Sequence, residues 1–300
     1  VIGRHRRAGD GFIACACGRR HWGRFGAAGL LVRRGGDVLL QHRAAWSHEG
    51  GTWAVPGGAL DLDESALAGA LREAAEEAAV PAESVQPRHA WTVDHGTWAY
   101  TTVVAEAVGP IVPRRLDGES EELRWVSVDE VTSLRLHSGF AAGWARVASL
   151  LDRHEVVVMD AANVVGSTPD GWWRDRAGAA ARLLSSVETW SSEGLAQAGE
   201  SSGHGSPSSP LVEPVAGRTR AWPDWVVVLE GQATGAVSQP GSSVAVVRAQ
   251  GSGDDTIVDV AQRQVARGGH VTVVTADRAL QARVESVGAR HVGPRALPPR

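Results

Sequence analysis

Glu73, Glu76 and Glu77 stand at i, i+3 and i+4, so on a helix their carboxylates share one face and repel one another. Three clustered anions need a counter-charge. A hard cation such as Mg²⁺ takes carboxylate oxygens and keeps waters or phosphate oxygens as its other ligands, so the cluster points to a phosphate-bearing substrate. Gly58, Glu64 and Arg72 lie at fixed distances before it, in GALDLDESALAGALREAAEEAAV. A solvated acidic helix face is the plainer reading of a charge run, but it does not account for that spacing.

The neighbouring residues supply the elements that would position these side chains. Asp61 followed by Glu64 has the form of a capping box with Asp61 as the cap, and Leu67, Leu71, Ala74 and Ala78 form an apolar stripe roughly opposite the glutamates. Pro56-Gly57-Gly58 reads as a tight loop between an apparent strand, Thr52–Val55, and that helix. There the backbone can come close to a ligand.

Taken together, these residues resemble the Nudix box, Gly-x5-Glu-x7-Arg-Glu-U-x-Glu-Glu-x-Gly-U, where U is aliphatic. Gly58, Glu64, Arg72, Glu73, Glu76, Glu77 and Val80 fill their positions, and Ala79 stands where the family has glycine. GAAGLLV and GTWAVPGG before the box, and ELRWVSVDEV after it, extend the likeness to residues 24–150. The resemblance implies an α/β/α sandwich around a mixed sheet. It also implies hydrolysis of a pyrophosphate linkage in a nucleoside diphosphate derivative. Glu73, Glu76 and Glu77 would hold Mg²⁺ or Mn²⁺, Arg72 would orient a carboxylate, and one glutamate would take a proton from water. Gly57 and Gly58 would approach the substrate, with Trp98 and Tyr100 the aromatics to test against a nucleobase. Glu119, Glu121 and Glu122 offer either an extra ligand or an exposed acidic loop.

The chain has 300 residues, 43% of them hydrophobic, enough for two domains with separate cores. No apolar run reaches the roughly 18 residues of a membrane span, and the first residues carry no secretory pattern, so a cytoplasmic location without membrane contact is expected. Position 1 is Val, as in a fragment or a translated alternative start codon. All 30 basic residues are arginine, which excludes lysine as nucleophile or base. Cys15 and Cys17 with His21 nearby give half of a zinc pattern without a second ligand pair, and two free thiols are the expected state.

Past residue 150 the texture changes. EVVVMD (Glu155–Asp160), WVVVLE (Trp225–Glu230), Val244–Val247 and HVTVVTAD (His270–Asp277) read as strands, with helices at RDRAGAAARLLSSV and Asp254–Arg267. This alternation implies a parallel α/β sheet. A Ser, Gly and Pro-rich stretch over 191–224 reads as a flexible insertion within it. Asp160, Glu230 and Asp277 at strand ends, with Asp254 opening a helix, would converge beyond the carboxyl edge of the sheet as a second metal site. The order D-x-x-N, LEG, GDDTIVD and VVTADRAL resembles the NYN branch of the PIN-like ribonucleases over residues 153–298. That resemblance implies cleavage of RNA by two cations. Asp175 is a secondary candidate that would otherwise cap a helix. A net charge of −4 argues mildly against strong nucleic-acid binding. The rival function is a nucleotide sensor that regulates RNA binding without turnover.

Overall fold

The computed structural model describes residues 7–116, 118–168, 171–197, 209–239 and 241–299. The chain forms two compact units. The first holds the chain up to Asp152 together with Ala216–Thr219; the second holds Arg153–Gln197, 209–215 and the chain from Arg220 on.

In the first unit a short hairpin, β1 (Phe12–Ala14) and β2 (Arg20–Trp22), precedes β3 (Ala27–Arg34), β4 (Asp37–Arg43), β5 (Trp53–Ala54) and β6 (Gly57–Ala59). Helix α1 (Ala66–Ala78) follows, then β7 (Val85–Asp94), β8 (Ala99–Ala107), β9 (Ser120–Ser127) and α2 (Ser138–Leu151). The sheet is mixed: β3 runs parallel to β8, while β4 and β6 pair antiparallel to β3, and β9 antiparallel to β4. Leu30, Val32, Leu39, Val103 and Ala105 form one core with Ala70, Ala74 and Ala78 of α1. Their alternates Leu31, Leu40 and Val104 are also buried, so both sheet faces are covered. Helix α2 packs against β7 and β8, bringing Gly143 close to the Trp91 ring. Thr219, far along the chain, places its hydroxyl 2.9 Å from that of Thr92.

The second unit contains β10 (Glu155–Asp160), α3 (Ala161–Gly166), α4 (Arg176–Glu193), β11 (Leu195–Ala196), the Arg220–Ala221 end of β12 (Arg218–Ala221), β13 (Asp224–Leu229) and β14 (Ala245–Arg248). It ends with α5 (Gly253–Ala266), β15 (His270–Val274), α6 (Arg278–Ser286) and β16 (Arg290–Val292). Five strands form a parallel sheet in the order β14-β13-β10-β15-β16. Strand alternation divides its apolar residues between two cores: Val157 and Met159 face α4, and Val156 and Val158 face α5 and α6. Strand β16 has only three residues, none fully buried, and too weak a pattern to stand out in the sequence.

The expectation of a flexible insertion over 191–224 does not hold at its ends. Helix α4 continues to Glu193, Leu195 and Ala196 pair with Ala221 and Arg220, and Leu211 and Val212 are fully buried. A few apolar side chains suffice to anchor a polar stretch when they reach a core. Residues 198–208, the middle of that stretch, lie outside the described residues. Among the described residues no helix is long and apolar enough to cross a membrane.

Candidate active site and a second acid cluster

Helix α1 is capped by Ser65, whose hydroxyl accepts the Ala68 N–H at 3.2 Å, not by Asp61. Glu64 accepts the Asp61 N–H at 3.0 Å, so half of the expected capping box forms one turn before the helix. The other Glu64 task explains the shift. Arg72 holds its carboxylate through two parallel hydrogen bonds, Nε to Oε1 at 2.8 Å and Nη2 to Oε2 at 2.7 Å. Arg72 also pairs with Glu73 and donates to Ala59 O at 3.0 Å, tying α1 to β6. The hydrogen bond from Arg72 holds the Glu64 carboxyl below its ordinary pKa, and the same bond raises the guanidinium.

Glu73 and Glu77 are buried, at 6% and 2% exposure, whereas Glu76 is partly open. The acidic face is thus turned toward protein rather than away from the core. Glu77 Oε2 accepts Gly57 N–H and Gln41 Nε2–H, each at 3.2 Å, and Glu76 pairs with Arg7. The Glu73 carboxylate lies against Gly58: a Cβ there would fall 2.7 Å from the carboxyl carbon. A Cβ on Gly57 would strike Ala28 O at 2.5 Å. Both glycines are required by close approach, one to a carboxylate and one to a neighbouring strand. Arg7 and Gln41 were not singled out in the sequence, since neither belongs to a spaced motif.

Ala79 takes the left-handed conformation that ends α1, φ 56° and ψ 37°, and its N–H returns to Ala74 O. The helix therefore stops where a glycine would stop it, with a Cβ in an unfavoured region. Tyr100 is half-buried, and burial pushes its phenol up in pKa, with Glu77 and Glu73 adding to the shift. Trp98 lies in the turn one residue before β8, while Tyr100 is on the strand. His21 stacks on it at 4.1 Å and 10°, and its indole N–H donates to Trp22 O, so one ring face is already taken. Glu121 accepts Ala45 N–H and pairs with His42. Glu119 is half-buried and Glu122 exposed.

A NUDIX domain model matches residues 23–148. The Mycobacterium tuberculosis "Putative 8-oxo-dGTP diphosphatase 3" is 48% identical over 153 residues, covering 47% of this chain and 70% of that protein. The chain belongs to the Nudix family. A Bifidobacterium longum "Nucleoside triphosphate pyrophosphatase/Nudix hydrolase fusion protein" is 47% identical over 153 residues, 48% of this chain, which spans only 32% of that relative. The crystal structure of a Nudix hydrolase from M. smegmatis, RenU, shares 49% identity over 47% of this chain and 94% of its own, with TM-score 0.43.

Nudix hydrolases generally use a divalent metal. The donors present fit a hard cation: carboxylate oxygens from one helix face, one of them pressed against a glycine backbone. Among the described residues, two sets bring ligand atoms of three or more His, Cys, Asp or Glu side chains within 4.8 Å of one another, and neither is the glutamate face. They are Cys15, Cys17, His21 and His95, and His48, Glu49 and His137. In the second set Glu49 already accepts the Ser138 N–H and hydroxyl at the start of α2. Cys15 and Cys17 are both free thiols.

In the second unit the four acids are brought to the carboxyl edge of the sheet, though not within that tight distance. Asp160 ends β10, accepts Asn163 N–H at 3.0 Å and takes the Thr275 hydroxyl at 2.8 Å. Asn163 accepts Ala276 N–H at 2.8 Å. Glu230 accepts Gly253 N–H, and Asp277 caps α6. Burial first, then Asp254 and Glu230, raise the Asp160 carboxyl; burial and then Asp277 raise Asp254. Asp175 only caps α4, accepting Gly178 N–H at 2.8 Å.

Proposed function

We propose that the first unit hydrolyses a pyrophosphate bond in a nucleoside diphosphate derivative, with Mg²⁺ or Mn²⁺ held by Glu73, Glu76 and Glu77. The observation that carries this reading is the Glu64–Arg72–Glu73 chain, half-buried at Glu64 and Arg72 and buried at Glu73, set against Gly58, which fixes one carboxylate beside a close-approach backbone. A bound cation would supply charge neutralisation on phosphate oxygens and lower the pKa of water. Arg72 positions Glu73, Gly57 N–H orients Glu77, and Arg7 is the group a cation would displace from Glu76. The complete glutamate set favours turnover over a sensor, which has no use for three buried or half-buried carboxylates together. Because the mycobacterial relatives are named for 8-oxo-dGTP, that nucleotide heads the substrate panel. With Mg²⁺ present, Glu77→Gln is expected to lower turnover about a hundredfold or more while the far-ultraviolet circular dichroism stays unchanged. Full turnover in both Glu76→Gln and Glu77→Gln would refute the assignment.

A second reading concerns the other unit: a metal-dependent ribonuclease of the NYN/PIN-like kind, with Asp160, Glu230, Asp254 and Asp277 as ligands. What supports it is the gathering of acids at the carboxyl edge of a parallel sheet, where Asp160 ends the strand at which the order reverses. Burial apart, Asp254 and Glu230 raise Asp160, and Asp277 and Glu230 raise Asp254. In a full-length Glu76→Gln/Glu77→Gln background, Mn²⁺ should raise the melting temperature by a few degrees, and Asp254→Asn should remove that gain together with cleavage of single-stranded RNA. No response to Mn²⁺ and no cleavage would end this reading.

A further inference from the structure

The hairpin β1–β2 has three residues per strand, and a pair that small is marginal without a tether. Its turn is tightly closed: Cys15 N–H donates to Arg19 O at 2.9 Å and Gly18 N–H to Cys15 O at 3.0 Å. This turn meets the one joining β7 to β8, where His95 N–H donates to Trp98 O at 2.9 Å. The two turns touch through polar atoms. Ala16 N–H donates to Thr97 Oγ1 at 3.1 Å, and that hydroxyl donates to Cys15 Sγ at 3.4 Å.

Four metal-ligand side chains converge at this junction. Cys15 is buried, Cys17 exposed, and His21 and His95 half-buried, and their ligand atoms all lie within 4.8 Å of one another. Cys17 Sγ is 3.1 Å from His21 Nε2, which is 3.2 Å from His95 Nδ1. A tetrahedral zinc ion with bonds of about 2.3 Å to sulfur and 2.0–2.1 Å to nitrogen has ligand–ligand edges of roughly 3.3 to 3.8 Å. These two separations fall within about half an ångström of the corresponding edges, and the remaining ones are all under 4.8 Å.

We propose that Cys15, Cys17, His21 and His95 form a structural zinc site that fastens the hairpin to the β7–β8 turn. Two sulfurs and two imidazoles suit zinc and exclude Mg²⁺, so the site is chemically separate from the glutamate face. Four protein ligands leave no open position, which makes the role structural. The Thr97 hydroxyl is placed to hydrogen-bond the Cys15 thiolate, an outer partner of the kind that orients ligands. The ion also holds His21 flat on Trp98.

The test uses the full-length chain purified in reductant without chelator. Elemental analysis should find about one zinc per chain. Replacing it with cobalt should give thiolate-to-metal charge-transfer absorption and the intense visible bands of a tetrahedral ion. Cys17→Ser and His95→Ala should each lower zinc affinity at least about tenfold, while Glu76→Gln/Glu77→Gln keeps the zinc. Removing the ion should lower the melting temperature of the wild-type chain. Zinc retained in both Cys17→Ser and His95→Ala would overturn the proposal. Should those variants fail to fold, the wild type decides alone: reduced chain that holds only trace zinc and shows no thiolate charge transfer on cobalt titration also overturns it.

Discussion

Glu64 and Glu73 of the first unit share one guanidinium, whereas in the second, burial apart, Asp160 is raised by Asp254 and Glu230, and Asp254 by Asp277 and Glu230, with Arg283, the partner of Asp255, pulling Asp254 the other way. The second unit does own a comparable fork. Arg153 donates to Glu155 and Glu213, each at 2.7 Å, but it precedes β10, while Asp160 ends that strand. One unit has its two-carboxylate arginine fork inside the acid cluster and the other has it at the opposite edge of the sheet. The first cluster thus has its cationic partners, Arg72 and Arg7, within the protein. The second carries repulsion that Arg283 offsets only in part, since Asp254 is still raised, which makes a bound cation worth more to its stability.

The sharpest way to break this contrast is to remove the fork that balances the first cluster. Arg72→Met should leave the buried Glu73 carboxylate beside Glu64 without their shared cation, at a cost of about 3 kcal/mol in urea unfolding. Arg72→Lys keeps the charge but cannot serve Glu64 through two parallel bonds, so it should recover only part of the loss. A cost near zero for both would mean that the cluster neutralises itself by protonation and that arginine does not balance it.

A smaller change separates backbone from charge at the same helix. Ala79→Gly removes a Cβ from a left-handed position and should stabilise the chain by about 1 kcal/mol, measured by thermal or urea unfolding. Gly57→Ala should do the reverse, because its Cβ meets Ala28 O and Gly29 Cα. If Ala79→Gly gives no gain, the helix end is held by its neighbours at no strain, and the first cluster owes its geometry to Arg72.

How much of this was legible depended on whether a residue's partner lay nearby in sequence. Helix α1, its stripe of Ala74 and Ala78 and the spacing of the glutamates are local properties, and the structure reproduces them. The mixed sheet of the first unit and the parallel sheet of the second also followed from resemblance and alternation. The cap was misread because Glu64 serves a residue eight positions later, which a local rule does not see. His95 was missed for the same reason, being 80 residues from Cys15. Arg7, 69 residues before Glu76, left no signal at all. The anchoring of Leu211 and Val212 was hidden by the polar composition around them.

The smallest expected effect tests whether the second unit's ion pair stands apart from its acids. Glu213 is held below the ordinary 4.5 chiefly by the Arg153 hydrogen bond, with His270 and Arg290 adding to the pull. A depressed carboxyl makes the unfolded state bind more protons around that pH. The stabilisation is therefore present above about pH 4.5 and is lost as pH falls through the lower folded value. Glu213 is 41% exposed, so water screens the pair and the gain stays under about 1 kcal/mol. Glu213→Gln should lower stability by that amount at pH 7, and the difference from wild type should shrink as pH falls below 4.5 and vanish once it has passed the lower folded value. The carboxyl edge should not feel it. If the same substitution changes the Mn²⁺-dependent rise in melting temperature, the two edges of the sheet are coupled, and the contrast between a balanced and an unbalanced cluster fails for this unit.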